Sequence, residues 1–329
     1  MRNKGALILA FLLWLAALSN AIEAQTKPSK CDAAHYELVE VPLRATGINN
    51  SQTIVGTSEA GRAAVWSKRD GLREAATPSG FTHSEGVALN DHGVAIGVAI
   101  NRQTTQRQGF SLIDGKVTLL TGLHARPFAV NDSEQIVGES QVEGAATSAA
   151  VIWQGAKVAP LGDCCASTAY AINNHGTAIG NIYDKGGKYR AFVWDEAHGL
   201  RRIGPSEGFS AALAINQAGD ILMQDFPDDI VLYGDGAPKR LALSDKRPAA
   251  HPKALNNCDA IVGSYGPFGD ADRAFVWSEA MGFRDLNDAI GEHKGWVLQM
   301  ATGINEKGEI VGWGEKNRED AGFLLVPKP

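Results

Sequence analysis

The chain has little cysteine, no excess of positive charge and, past its first residues, no long apolar run. Each absence excludes something. Four Cys in 329 residues are too few for a fold built on disulfides instead of on a core. With 31 Lys and Arg against 37 Asp and Glu, the net charge of −6 argues against a nucleic-acid partner, which needs a basic footprint. No second apolar stretch of about twenty residues exists, so the mature chain is expected to have no transmembrane span. Local signatures of chemistry are also missing. There is no His-Glu-x-x-His, no Cys-x-x-Cys, no phosphate loop and no EF-hand loop, and the sequence therefore points to no catalytic residue, metal or cofactor.

What is present begins with a targeting signal. Arg2 and Lys4 precede an apolar stretch from Ala6 to Leu18, followed by the small residues Ala21 and Ala24. We read 1–24 as a signal peptide, 25–35 as an N-terminal lead and 36–329 as one repeat domain, with the mature protein exported to the periplasm or the extracellular space.

The repeat is marked by Asn49, Asn90, Asn131, Asn173, Asn216, Asn256 and Asn305, a period near that of four-stranded propeller blades. An aliphatic residue precedes every one of these Asn residues, from Ile48 to Ile304, and before it stands Gly or Ala, from Gly47 to Gly303. Neighbouring side chains of a strand face opposite ways, so this pairing predicts an innermost strand whose aliphatic residue packs between sheets and whose small residue faces a crowded axis. Polar turn residues follow, such as Asp91-His92-Gly93, expected to form a tight hairpin in which Asn and Gly take positive φ. A second strand then carries Gly in six copies, for example Ile54-Val55-Gly56 and Ile310-Val311-Gly312, whereas the fifth reads Ile221-Leu222-Met223. A third strand ends in Trp66, Trp153, Trp194 or Trp277 in four copies, and these rings are expected in the core between blades, not as ligand platforms.

The seventh unit supplies three strands, and Tyr36 to Leu43 has the pattern of a missing fourth. The expected fold is therefore all-β: a seven-bladed β-propeller of four-stranded blades, with the ring closed by pairing the N-terminal strand with the C-terminal three. The Ala-x-x-Ile-Asn, Gly-x-Ile-Val-Gly and Arg-Ala-Phe-Val-Trp patterns, with the stretch from Met281 to Asn287, resemble the HAF family of probable extracellular repeat proteins. That resemblance spans the mature chain, with Arg190 and Arg273 in place of the family's His, and it implies export and a repeat fold but no defined activity.

Loops that lead into innermost strands gather at one mouth of a propeller. Arg44, His83, His124, Arg126 and His251 lie there at matching offsets from their motif Asn, and they are the candidate ligand site for a small molecule, glycan or protein, anionic in character. The leading function is a non-enzymatic binding or interaction scaffold acting through this loop face. The alternative is a periplasmic or extracellular propeller hydrolase or lyase, with these His residues as acid–base groups at the channel mouth. In an exported protein the cysteines are expected to be oxidised. Cys31 and Cys258 fall on the face opposite the mouth and make one candidate disulfide. Cys164 and Cys165 remain as neighbours in a loop on the mouth side, as a vicinal disulfide, free thiols or thiolate ligands.

Overall fold

The structure, a computed structural model, describes residues 33–141, 147–162, 166–183, 188–205, 208–225, 229–234, 237–241, 250–266, 272–292 and 294–328. Seven antiparallel sheets of four strands follow one another around an axis. Their innermost strands are Arg44–Ile48, His83–Leu89, Leu123–Val130, Ser167–Ile172, Ser210–Ile215, Ala250–Leu255 and Trp296–Ile304, in blades 1 to 7. The N-terminal strand Tyr36–Val41 pairs with Glu319–Pro327 and completes blade 7, with Tyr36 opposite Pro327 and Val41 opposite Gly322. Outermost strands such as Lys116–Leu119 and Lys157–Pro160 are short and exposed and open on a Lys, which blunts the sheet edges.

The core is divided into seven clusters, one for each junction between adjacent blades. Trp153 and Trp277 are buried in these clusters, and Trp66 and Trp194 pack against them, as their register predicts. Phe110, Phe192, Phe275 and Phe323 of the third strands are buried opposite the second-strand glycines. A Cβ on Gly180 would overlap the carbonyl of Thr168 and lie 2.7 Å from the Phe192 ring, so the strand crossing needs a bare Cα. The fifth blade meets the same space differently. Met223 faces Val231 instead of a Phe, and its fully buried thioether fills the volume.

Each innermost strand holds an extra residue against its partner at one shared register, namely Thr46, Val87, Phe128, Tyr170, Leu213, Lys253 and Thr302, and the register shifts a second time in blades 3 and 7. These bulges break the strict alternation read from the sequence. The small residue and the aliphatic residue that follow both line the axial channel, in place of the expected division between axis and sheet. The small residue permits close approach: a Cβ on Gly303 would stand 3.5 Å from Gly47 Cα of the next blade. The long step between the last two motif Asn residues holds a single helical turn, Leu286–Ala289, capped by the Asp285 side chain.

Candidate functional site

The two ends of the channel are built from different chemistry. At the turn end the seven motif Asn residues are all buried. Each donates from Nδ2 to the backbone oxygen of the motif Asn in the next blade, at 2.9–3.3 Å, and Asn305 returns the bond to Asn49. Their Oδ1 atoms accept from the N–H four residues on, so one amide both shapes its own hairpin and holds its neighbour. Positive φ falls instead on the residue three after each Asn, including Gln52, Glu134 and Asp259, which are not glycine.

A second ring lies just outside the first. The backbone N–H of Asn50, Asp91, Asp132, Asn174, Gln217, Asn257 and Glu306 each donates to the side chain of the corresponding residue in the next blade, at 2.7–3.1 Å. Both rings line a cavity of about 170 Å³. Burial pushes the Glu306 carboxyl above its ordinary range; the Asn257 backbone N–H opposes the shift and Asp91 adds to it. The side-chain acceptors that face this mouth are engaged by the ring itself, which marks it as a fastening.

At the loop end the channel has a volume of about 300 Å³ and is walled by apolar residues, with Tyr170, Leu213 and Lys253 among the bulged side chains at its rim. Lys253 is exposed and has no carboxylate partner within ion-pair distance among the described residues. Thr46 and Thr302 instead turn their hydroxyls to backbone carbonyls of the next blade, Gly86 and Ala45. The aromatic side of the rim belongs to blades 3 and 4. Phe128 and Tyr170 meet edge to face at 5.2 Å, Arg126 sits 4.9 Å over the Phe128 ring, and Tyr183 and Tyr189 stand 5.3 Å apart beyond them. Glu139 ties the blades together, ion-paired with Arg126 at 3.5 Å and accepting from Thr168 Oγ1 at 2.6 Å. Burial raises the phenol pKa of both Tyr170 and Tyr189.

The residues anticipated for a ligand site occupy four blades at this same end. Arg126 belongs to the aromatic rim, and His124 beside it is exposed with a positive φ of 54°. His83 pairs through Nδ1 with Thr82 Oγ1 at 2.9 Å and lies against Gly61 of the preceding blade. Burial lowers the pKa of His251, with Asp272 opposing and Lys253 adding to the effect. Arg44 lies over Trp313 at 3.7 Å, at the junction of blades 7 and 1. Sequence reasoning passed over the bulged ring, because alternation assigns one residue to each partner. Its signal was the second small or proline position four before each Asn: Ala45, Gly86, Pro127, Ala169, Ala212, Pro252 and Ala301.

Cys258 lies in the turn of blade 6 and is disulfide-bonded, while Cys31, Cys164 and Cys165 lie outside the described residues. Among the described residues no cluster of His, Cys, Asp and Glu could hold a metal ion, and no helix is long and apolar enough to cross a membrane.

The architecture is that of the β-propellers. No family model matches the chain, and no curated protein matches it in sequence. Among solved structures it is similar to the β-propeller domain of the Trilobed protease from Pyrococcus furiosus, described as having an open velcro topology, with a TM-score of 0.60 at 8% identity over 90% of this chain and 96% of that one. It is similar also to the WD40 repeats of RRP9, with a TM-score of 0.51 at 12% identity over 90% of this chain and 99% of that one. An acylaminoacyl peptidase solved with Z-Gly-Gly-Phe-chloromethyl ketone matches with a TM-score of 0.52 at 11% identity, over 90% of this chain but 52% of the peptidase. At such identities these likenesses establish the fold.

Proposed function

We propose that the chain is an exported, non-enzymatic binding scaffold that takes a ligand or partner at the loop-face mouth of its channel. One observation carries this reading. At the turn end the structural positions repeat in every copy, with Asn in all seven, whereas the bulged position at the loop-end rim is Thr, Val, Phe, Tyr, Leu, Lys and Thr in turn. A position that the fold dictated would repeat. The rim varies instead, and on one side it groups aromatic side chains with Arg126, residue types enriched at recognition surfaces, while the exposed Lys253 stands on another side.

Arg126 and Lys253 suit an anionic group on the ligand, and His83, His124, His251 and Arg44 extend the same basic face. Export rests on the basic, apolar and small-residue order of 1–24, and it agrees with the resemblance of the repeats to the HAF family. A Cys31–Cys258 bridge fits this setting. Ala33 and Tyr36 share a core cluster against which Cys258 packs, and Arg284 donates to the carbonyls of Ala33 and Ala34 at 3.2 and 2.8 Å, so the described end of the N-terminal lead packs on the same cluster as the cysteine.

The test is a thermal-shift screen of the mature chain with phosphates, acidic and neutral sugars, peptides and metal ions, since a ligand bound only by the folded state raises its apparent stability. Tyr170→Ala with Lys253→Ala should abolish the shift of any hit that uses the rim. A hit that survives this double substitution, and also His124→Ala with Arg126→Ala, would remove the rim from consideration.

A further inference from the structure

The junction of blades 7 and 1 holds a groove of about 580 Å³, within the size range of small-molecule sites. Trp313 stands in its wall, one place after the second-strand Gly. The other copies have Thr57, Val98, Glu139, Asn181, Gln224 and Ser264 in that place, so neither the blade nor its packing asks for an indole there. Arg44 lies flat enough to bring its guanidinium carbon within 3.7 Å of the ring centroid. Stacking holds the guanidinium in place, yet among the described residues its N–H groups donate to nothing and it has no ion-pair partner. Two carboxylates in the same wall, Glu59 and Asp320, are likewise without hydrogen-bond or ion-pair partners among the described residues. The third, Glu40, is held by Lys316 Nζ at 2.6 Å.

A fixed cation that ignores two acids in its own groove leaves donors and acceptors unspent side by side. We infer that this groove binds a neutral saccharide of hexose or disaccharide size, with Arg44 donating to its hydroxyls, Glu59 and Asp320 accepting from them, and the part of half-buried Trp313 that Arg44 leaves uncovered packing against its C–H groups. A hydroxyl both donates and accepts, so vicinal hydroxyls satisfy both sets of groups at once. An anionic ligand would face Glu59 and Asp320. A cationic one would meet Arg44 where an aromatic ring would otherwise attract it. The groove takes Arg44 from the basic face described above but shares neither Tyr170 nor Lys253 with the channel mouth, so the Tyr170 and Lys253 substitutions tell this inference apart from that function.

The experiment is calorimetric titration of the mature chain with methyl glycosides of neutral hexoses and with neutral disaccharides, beside glucuronate and tetramethylammonium as charged probes. Saturable binding of a neutral glycoside is expected. It should weaken about tenfold or more in Arg44→Ala and in Glu59→Gln with Asp320→Asn, changes at exposed side chains that leave the fold intact. Trp313→Phe retains packing and should weaken binding less than Trp313→Ala. Tyr170→Ala with Lys253→Ala should leave it unchanged. Stronger binding of glucuronate or tetramethylammonium than of every neutral sugar overturns the inference. So does neutral-sugar binding untouched in Arg44→Ala, or the absence of any saturable neutral sugar. Binding of disaccharides but not of methyl hexosides would place the recognised unit within a longer glycan.

Discussion

Asn305 and Asn49 stand 256 positions apart, yet Nδ2 of Asn305 donates to the backbone oxygen of Asn49 at 3.1 Å. The last blade is thereby fastened to the first at the axis by the same bond that joins every other pair of neighbours. Glu306 N–H adds a bond to Asn50 Oδ1 at 2.9 Å, and Gln52 Nε2 another to Glu309 Oε1 at 2.7 Å. The N-terminal strand closes the perimeter of blade 7 independently.

Asn305→Ala removes the donor to Asn49 and the acceptor for Lys307 and Glu309 N–H, all within a buried ring. Buried polar groups left without partners cost about 1–3 kcal/mol each, and a total loss of about 2–4 kcal/mol is expected in urea unfolding. Asn305→Asp keeps the acceptor and replaces the donor by a charged oxygen facing a carbonyl, so its loss should lessen as pH falls.

The second-strand position separates the fifth blade from the rest. Gly180→Ala forces a methyl into the Thr168 carbonyl and should lose about 3 kcal/mol or more, read as the denaturant midpoint. Met223→Leu should cost under about 1.5 kcal/mol, because volume is kept. Met223→Ala should cost about 2–5 kcal/mol, because a cavity is left where the other blades have a ring.

Asp285 is buried between Tyr265 and Arg273, with Asn287 completing the set. Burial alone would push its carboxyl up, but the hydrogen bonds from Tyr265, Arg273 and Asn287 outweigh it and hold the pKa below the ordinary value. A depressed folded-state pKa contributes stability that is fully present above the unfolded value of about 3.9 and is lost as pH falls through the folded value. Asp285→Asn should therefore lower stability at pH 7 by about 2–4 kcal/mol and flatten the acid limb of a melting-temperature profile.

Asp259 runs the other way. Burial raises its pKa, with Asp220 and Glu279 adding and Lys239 opposing. Its charge works against folding at neutral pH, and that penalty disappears as pH falls through the raised value. Asp259→Asn retains the positive φ of 55° and the acceptor for Asn216, and should stabilise by about 0.5–1 kcal/mol at pH 7, the gain fading in acid.

The period, the closing strand and the burial of the Trp residues were legible because each is a property of spacing or hydrophobic pattern. The role of the motif Asn was not: its side chain reads as turn chemistry until a second blade stands within 3.0 Å, as Asn90 does for Asn49. The bulges were hidden for a related reason, since an extra residue is defined by its partner strand. Arg44, His83, His124, Arg126 and His251 were placed at the loop end by offset alone. What sequence could not supply was the company each keeps, such as Trp313 beneath Arg44, brought there from the far end of the chain.

The pairing of Tyr36 with Pro327 has a mechanical consequence. Lys328 N–H still donates to His35 carbonyl at 2.9 Å, so the two ends of the domain leave the perimeter side by side. Tension between them loads the closing pair one hydrogen bond at a time, as a zipper is pulled from its open end, and never in shear across the whole strand. Under force, with the Cys258 disulfide reduced, the ring should open first at this seam, with the other six blades still folded.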